Sequence, residues 1–204
     1  MRSAGSYPGC VTYKPRDERA GFHHVVTRGN NKRTIYARDA DRTFFIELLL
    51  RVAARHRWTI FAYCLMRNHY HLVIEIGDEG LSKGMCELNT AYALEFNRRH
   101  GRINHLFGKR YWSEPKPTER LMLNAVRYVL QNPLRAHRKK PLASYRWSSY
   151  RATIGLALAP SRLGTGELLA YFGTDPKKAI AHFRRFIEDT APDDPDAREK
   201  RQPP

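Results

Sequence analysis

Met66-Arg67-Asn68-His69-Tyr70-His71-Leu72-Val73-Ile74-Glu75 is the stretch around which the predicted fold is arranged. An Arg-Asn turn signal lies between two apolar runs, residues 59–65 and 72–76, and this pattern predicts a β-hairpin. Successive side chains of a strand point to opposite faces of the sheet. We therefore expect His69 and His71 to lie side by side at the start of the second strand.

Two adjacent imidazoles can form half of a binding site for a divalent metal ion, because neutral histidine is a common metal ligand. The same spacing also occurs in histidine pairs that are only surface or partly buried residues. The pair alone leaves both interpretations open, and the choice depends on what the rest of the chain brings near it.

The charge of the chain points to a polyanionic partner. The 36 Lys and Arg residues against 20 Asp and Glu residues give the 204-residue chain a formal net charge of +16 and a pI near 10.1. Such an excess favours nucleic acid first and an anionic membrane surface second. A surface whose charges serve only to keep the protein in solution usually mixes positive and negative residues more evenly. We therefore expect a nucleic-acid partner.

The apolar pattern argues against membrane insertion and secretion. Charged residues interrupt the longest apolar runs, which predicts no transmembrane helix, and residues 1–10 lack the apolar core of a signal peptide. Cys10, Cys64 and Cys86 are odd in number and have no CxxC spacing. We expect a reduced, cytoplasmic protein without a disulfide framework or zinc ribbon.

Hydrophobic periodicity predicts an α+β fold. The predicted strands cover residues 22–27, 58–65, 69–76 and 106–112. The first predicted helix is capped by Asp39 or Asp41 and runs to about residue 56, the second covers residues 81–99, and the third is capped by Thr118. Asn132-Pro133 should end or kink the third helix. Strand, helix, hairpin, helix, strand is the ferredoxin-like or RRM-like order, an antiparallel sheet with two helices on one face.

Composition suggests further parts on either side of this core. We expect a mobile basic lead-in, a main domain, a small helical C-terminal appendage and a disordered tail, at residues 1–20, 21–140, 141–190 and 191–204. Two short helices are predicted in the appendage, near residues 165–172 and 176–189. The appendage either contacts DNA or covers the core, and its aromatic segment Tyr145-Arg146-Trp147 fits both roles.

Tyr128 and Asn132 are four residues apart on the third predicted helix, so they project from nearly the same face. If this helix crosses the sheet over the histidine pair, His69, His71 and Asn132 can hold a divalent metal that polarises phosphate oxygens. The Tyr128 hydroxyl can then attack phosphorus and release a DNA 3′-hydroxyl. A protonated phenol is a weak nucleophile, so the metal or a cation such as Arg127 must assist it.

Two assignments stay open on the residues alone. A helical tyrosine is more often a half-buried packing residue than a nucleophile, and the rivals of Tyr128 are Tyr92, Tyr111 and Tyr150. Gln131 offers a second carboxamide beside Asn132, so either residue can be the third metal ligand.

Two basic segments are candidate DNA contacts. The turn Arg28-Gly29-Asn30-Asn31-Lys32-Arg33 can present guanidiniums and backbone amides to phosphates. The segment 106–112 interleaves Lys109 and Arg110 with aromatic rings, which suits single-stranded nucleic acid because bases stack on rings while phosphates meet the charges. A solvated turn and an ordinary edge strand are the competing interpretations. The candidate DNA-binding residues are Arg28, Asn30, Lys32, Arg33, Lys109, Arg110 and Arg127.

Several of these motifs occur together in one known family. His69-Tyr70-His71 after an apolar strand resembles the His-hydrophobic-His motif of the HUH endonucleases, and Arg127-Tyr128-Val129-Leu130-Gln131-Asn132-Pro133 resembles the catalytic helix of their single-tyrosine transposases. With the segments 22–31 and 106–111, the chain looks like a REP-associated tyrosine transposase over residues 21–150. Tyr70 is bulkier than many middle residues of that motif.

The resemblance implies a function and a partner. Members of the family cut and rejoin single-stranded DNA with Mg²⁺ or Mn²⁺, forming a 5′-phosphotyrosine and a free 3′-hydroxyl. By resemblance, Tyr128 is the nucleophile, His69, His71 and Asn132 are metal ligands, and the substrate is a palindromic hairpin at a bacterial nucleoid, with no small-molecule cofactor. A domesticated hairpin-binding regulator with little cleavage and an RRM-like RNA binder remain alternatives, and a monomer or a dimer is equally compatible.

Overall fold

The computed structural model describes residues 18–136 and 141–189. Most of the expected lead-in, the boundary expected at residue 140 and the expected tail from residue 191 lie outside the described residues, as does Cys10. None of the described helices is both long and apolar enough to cross a membrane.

A four-stranded antiparallel sheet forms the centre of the fold, in the spatial order β2-β3-β1-β4. The strands are β1 Gly21–Arg28, β2 Thr59–Leu65, β3 His69–Ile76 and β4 Trp112–Pro115. The hairpin predicted from residues 66–75 is β2–β3, with both strands at the expected residues. The strand order and pairing confirm the predicted ferredoxin-like α+β fold.

Two helices, α1 Asp39–Arg55 and α2 Ser82–His100, cover one face of the sheet. Tyr70, Leu72 and Ile74 point into this layer from alternate positions of β3 and are fully buried there. Their burial sends the intervening residues of β3, including both histidines, to the opposite face.

The third helix, α3 Glu119–Arg135, covers that opposite face and contacts β1, β2 and β3. Thr118 is its N-cap, and its side-chain hydroxyl accepts the backbone N–H of Leu121 at 3.3 Å, as predicted. Val73 and Cys64 pack in the same apolar cluster as Val126 and Val129 of α3. The sheet therefore lies between two helical layers.

Asn132-Pro133 does not end α3, which was one of the two predicted outcomes, because the helix continues to Arg135. Proline has no N–H, so the carbonyl of Val129 loses its usual partner four residues later. The side-chain Nδ2 of Asn132 donates to that carbonyl at 3.3 Å and to the carbonyl of Tyr128 at 3.0 Å. A neighbouring amide thus compensates for the missing backbone donor.

The fourth strand begins later than predicted, at Trp112 instead of residue 106. Leu106 and Tyr111 both enter the α1/α2 core, yet they are five residues apart. In one continuous strand an odd separation would send them to opposite faces. The chain therefore makes a single bridge at Phe107 with Gly29, and the exposed residues 108–110 form a loop before β4.

The segment after residue 140 covers α3 and the edge of β2. It contains α4 Tyr150–Thr153, α5 Thr165–Ala170 and α6 Pro176–Glu188, and the last two match the predicted helices. Phe183 and Ile187 of α6 are fully buried in the apolar cluster of α3. Trp147 is half-buried, and its carbonyl accepts the backbone N–H of Leu65 at 2.8 Å.

Candidate active site

His69 and His71 lie side by side at the start of β3, as their spacing predicts. Their ring centres are 5.0 Å apart. His71 is fully buried, His69 is partly buried, and Arg28 at the end of β1 is the register partner of His69. The pair therefore lies at the end of the sheet where the first strand passes into the basic turn.

Both imidazoles are held in the neutral form. Burial, followed by the positive charge of Arg28, lowers the pKa of His69 to about 4. Burial is also the main reason that the pKa of His71 lies well below its ordinary value, with His24, His69 and Arg28 adding to the effect. A neutral imidazole has the free lone pair that metal binding requires.

Each of the two rings uses its Nδ1 in a hydrogen bond, and these bonds do not involve its Nε2. Nδ1 of His71 lies 3.1 Å from Nε2 of His24, and Nδ1 of His69 lies 2.7 Å from Oδ1 of Asn68. Nε2 of His71 is buried and has no hydrogen-bond partner among the described residues. An unpartnered buried nitrogen is costly unless something else satisfies it.

Tyr128 of α3 faces this pair. Its ring centre is 5.8 Å from that of His71 and 5.7 Å from that of His24. The third helix thus crosses the sheet over the histidine hairpin, which is the arrangement that a site shared by Tyr128 and the histidines requires.

The rival tyrosines have other surroundings. Their hydroxyls bond within the α1/α2 layer or the C-terminal helices: Tyr92 donates to the carbonyl of Ile35, Tyr111 to Glu18 and Tyr150 to Glu188. Of the four tyrosines, Tyr128 is the one whose ring contacts His71.

The two candidate carboxamides also separate. Nε2 of Gln131 donates to the carbonyl of Ile187 at 2.8 Å, so this side chain points to α6. Asn132 is buried one helical turn after Tyr128, and its Nδ2 is used by the carbonyls of its own helix. Its Oδ1 takes no part in these two bonds, which favours Asn132 over Gln131 as a ligand.

Arg135 lies beside Tyr128, where Arg127 was expected. The guanidinium carbon of Arg135 lies 5.0 Å from the centre of the Tyr128 ring. Arg127 instead lies over Phe186 and donates to the carbonyl of Asp189 at 3.0 Å. Adjacent residues of a helix point about 100° apart, so Arg127 faces α6 and not the site.

The remaining candidate DNA contacts gather at the same end of the sheet. The backbone N–H of Asn30 donates to the carbonyl of Leu106, and that of Gly108 donates to Arg28. These bonds join the basic turn to the loop before β4. Lys32, Arg33, Lys109 and Arg110 are exposed on the two loops.

Trp112, the first residue of β4, forms an exposed aromatic wall of the site. Its side chain is 38% exposed, and its ring meets that of His24 nearly at a right angle with centres 5.5 Å apart. An exposed indole at a basic site can stack on a nucleic-acid base.

Sequence reasoning missed His24 and Arg135 as members of the site. Arg135 had a signal, because a residue seven positions after Tyr128 lies on the same helical face. His24 lies in a predicted strand, but its contact with His71 depends on which strand pairs with β3. Nothing in the local sequence specifies that pairing.

The donor set fits a divalent metal whose third protein ligand is an amide oxygen. No group of three His, Cys, Asp or Glu side chains suited to a metal occurs within residues 18–136 and 141–189. The two histidines and the unpartnered Nε2 of His71 nevertheless offer nitrogen ligands. A carboxamide from α3 would add an oxygen ligand to these nitrogens, and the bound ion would supply Lewis-acid polarisation of phosphate.

Comparisons with known proteins found a matching family and similar solved structures. A sequence model of the family described as "Transposase IS200 like" matches residues 21–129, more than half of the chain. The solved structure of a REP-associated tyrosine transposase bound to a REP hairpin matches 74% of this chain and 90% of its own, with a TM-score of 0.61 and 16% identity. A crystal structure of a proposed transposase from Deinococcus radiodurans matches 69% of this chain and 100% of its own, with a TM-score of 0.41 and 14% identity. No curated protein matched. The chain belongs to the IS200-like transposase family, and its fold is that of the REP-associated tyrosine transposase.

Proposed function

We propose that this transposase cuts and rejoins single-stranded DNA through a covalent 5′-phosphotyrosine at Tyr128. A divalent ion, Mg²⁺ or Mn²⁺, would be held by His69, His71 and Asn132. The observation that carries the proposal is the position of the Tyr128 ring, which lies 5.8 Å from that of His71 on the face of the sheet where the histidines meet.

The ion would supply Lewis-acid polarisation of the scissile phosphate when bound. Two imidazole ligands favour Mn²⁺ over Mg²⁺ in affinity, so selection of Mg²⁺ in a cell would depend on its abundance. The depressed pKa values of His69 and His71 keep both rings available as ligands at neutral pH.

The side chains of the site divide the reaction between them. The Tyr128 oxygen attacks phosphorus, an O–P bond forms, and the bond from phosphorus to the 3′ oxygen breaks. The phenol loses its proton and the departing 3′ oxygen gains one, so the products are a 5′-phosphotyrosine and a 3′-hydroxyl. Attack by a 3′-hydroxyl on the phosphotyrosine reverses the step and rejoins a strand. Arg135, which lies over the Tyr128 ring, would neutralise charge on the phosphate.

The proposed substrate is a DNA hairpin with a single-stranded flank. The similar solved protein is described as bound to a REP hairpin. In this chain the two basic loops and the exposed Trp112 border the site. Phosphates of the flank would meet the loops, and a base beside the cut would stack on the indole.

An adduct assay tests this function. A 5′- and 3′-labelled hairpin oligonucleotide with single-stranded flanks is incubated with the protein and Mn²⁺, and covalent products are resolved under denaturing conditions. We expect an adduct on the 3′-side fragment that needs metal and is lost in Tyr128→Phe. Tyr150→Phe is the matched control, because that ring lies in the C-terminal helices, and it should still form the adduct.

Two outcomes would contradict the proposal. An undiminished adduct in Tyr128→Phe would assign the chemistry to another residue. Tight hairpin binding that EDTA does not change, with no adduct in Mn²⁺ or Mg²⁺, would indicate a DNA-binding protein without cleavage. Competition by RNA of the same sequence distinguishes an RNA binder, since the 2′-hydroxyl changes recognition.

A further inference from the structure

The bonds of Asn68 specify the tautomer of His69. Nδ2 of Asn68 donates to the carbonyl of Lys32 at 2.9 Å, so the amide oxygen of the same side chain must face His69. An amide oxygen only accepts, so Nδ1 of His69, 2.7 Å away, must carry the proton. Nε2 of a neutral His69 then carries no proton, and its lone pair is available to a metal ion.

The bond between His24 and His71 has two possible directions. If Nε2 of His24 carries the proton, Nε2 of His71 must also carry one, and it becomes a buried donor without a partner among the described residues. If Nδ1 of His71 carries the proton, Nε2 of His71 is unprotonated and has a lone pair. The second direction avoids an unsatisfied buried N–H.

We propose that Asn68 and His24 are positioning residues that fix His69 and His71 in the same tautomer, with protons on Nδ1 and both Nε2 atoms ready to bind one metal ion. The proposal rests on the proposed function for the identity of the ligands. Metal-binding histidines usually donate their other ring nitrogen to an acceptor that orients the ring. Here the acceptors are an amide oxygen and a third imidazole.

The geometry supports His24 in this role. Its ring is nearly parallel to that of His71, at an interplanar angle of 20° with centres 5.3 Å apart, and it is 7% exposed. β1 lies beside β3, so the sheet holds both rings in fixed register. Trp112 and Tyr128 meet the His24 ring edge to face, which restricts its rotation further.

Nuclear magnetic resonance tests the tautomers without metal or activity. Long-range ¹H–¹⁵N correlation spectra of metal-free, histidine-labelled protein are assigned with His69→Gln and His71→Gln variants. We expect the Nε2 signals of both residues in the unprotonated range and the Nδ1 signals in the protonated range. A proton on Nε2 of either ring would overturn the inference, whatever the protein does to DNA.

Variants of His24 test the consequence for metal binding. We expect His24→Phe, which has no acceptor, to weaken Mn²⁺ binding about 10- to 100-fold in a titration followed by electron paramagnetic resonance. His24→Gln can place Oε1 near the former Nε2 and should recover most of the affinity. Equal affinity in wild type and His24→Phe, or equal loss in the Phe and Gln variants, would contradict positioning through a hydrogen bond.

Matched variants keep this result separate from the proposed function. Asn68→Asp retains the acceptor, whereas Asn68→Ala removes it, so the alanine variant should bind Mn²⁺ more weakly than the aspartate variant. Loss of Mn²⁺ binding in His71→Ala tests the metal site itself. If wild type binds no Mn²⁺, the metal-dependent function fails, while the spectra still decide whether Asn68 and His24 set the tautomers.

Discussion

The Arg135 guanidinium lies over the Tyr128 ring, with its carbon 5.0 Å from the ring centre. The two residues are about two turns apart on α3, so the helix itself brings them together. A cation here would neutralise charge on the phosphate that Tyr128 is proposed to attack. Arg127, adjacent to Tyr128 in sequence, is instead held by Phe186 and the carbonyl of Asp189.

Replacement of Arg135 should therefore slow adduct formation more than replacement of Arg127. We expect Arg135→Gln to reduce the rate of adduct formation about 100-fold, the usual order for one lost charge or donor at a reacting group. The measurement is a single-turnover time course with saturating DNA and Mn²⁺. Arg127→Gln is the matched control, and an equal effect of the two substitutions would refute the assignment.

Replacement of Asn132 should affect metal binding, whereas replacement of Gln131 should affect stability. Asn132→Ala should weaken Mn²⁺ binding, since it removes the proposed amide ligand. Gln131→Ala should leave Mn²⁺ binding intact but lower the free energy of unfolding by about 1–3 kcal/mol, because the buried carbonyl of Ile187 loses its donor. Metal titration and urea unfolding of both variants check this, and metal loss in Gln131→Ala alone would reverse the ligand assignment.

Trp112 should contribute to the affinity for single-stranded DNA. Trp112→Ala should cost about 1–3 kcal/mol of binding free energy, the range for one base stacked on an aromatic ring, and Trp112→Phe should retain part of it. Fluorescence anisotropy at constant salt measures the affinity. Tyr171 is equally exposed, at 38%, but lies at the end of α5. If Tyr171→Ala weakens binding as much, stacking at Trp112 is not the cause.

The C-terminal helices should be required for stability, since they cover α3. Phe183 is fully buried and packs edge to face on Phe172. We expect Phe183→Ala to lower the free energy of unfolding by about 3–5 kcal/mol. Leu158→Ala, at a side chain that is 95% exposed, should have little effect. Urea unfolding followed by circular dichroism compares them, and a small effect at Phe183 would show that α6 is only loosely attached.

Patterns of short range predicted much of the fold. Alternation in residues 69–76 placed His69 and His71 on one face, and the structure has them 5.0 Å apart. Thr118 caps α3 as its residue type predicted. These predictions succeed because strand alternation, helix periodicity and capping follow from backbone geometry within a few residues.

Contacts between distant parts of the chain were harder to predict from the sequence. The residues 106–112 have strand-forming character, yet Leu106 and Tyr111 enter one core and force a loop between them. Gln131 and Asn132 are equivalent carboxamides in sequence, and only the position of α6 separates them. Arg127 was expected beside Tyr128, but α6 offers it an aromatic ring and a carbonyl.

In the candidate site, too, short-range patterns predicted some features, and contacts between distant parts of the chain decided the others. Tyr128 and Asn132 could be paired from their spacing on a helix, and the histidines from their spacing on a strand. The contacts of Tyr128 with His71 and His24 require α3 to pack on the histidine face while α1 and α2 occupy the other. That choice depends on the free energy of burying complete apolar faces, to which residues across the whole chain contribute, and no local pattern carries it.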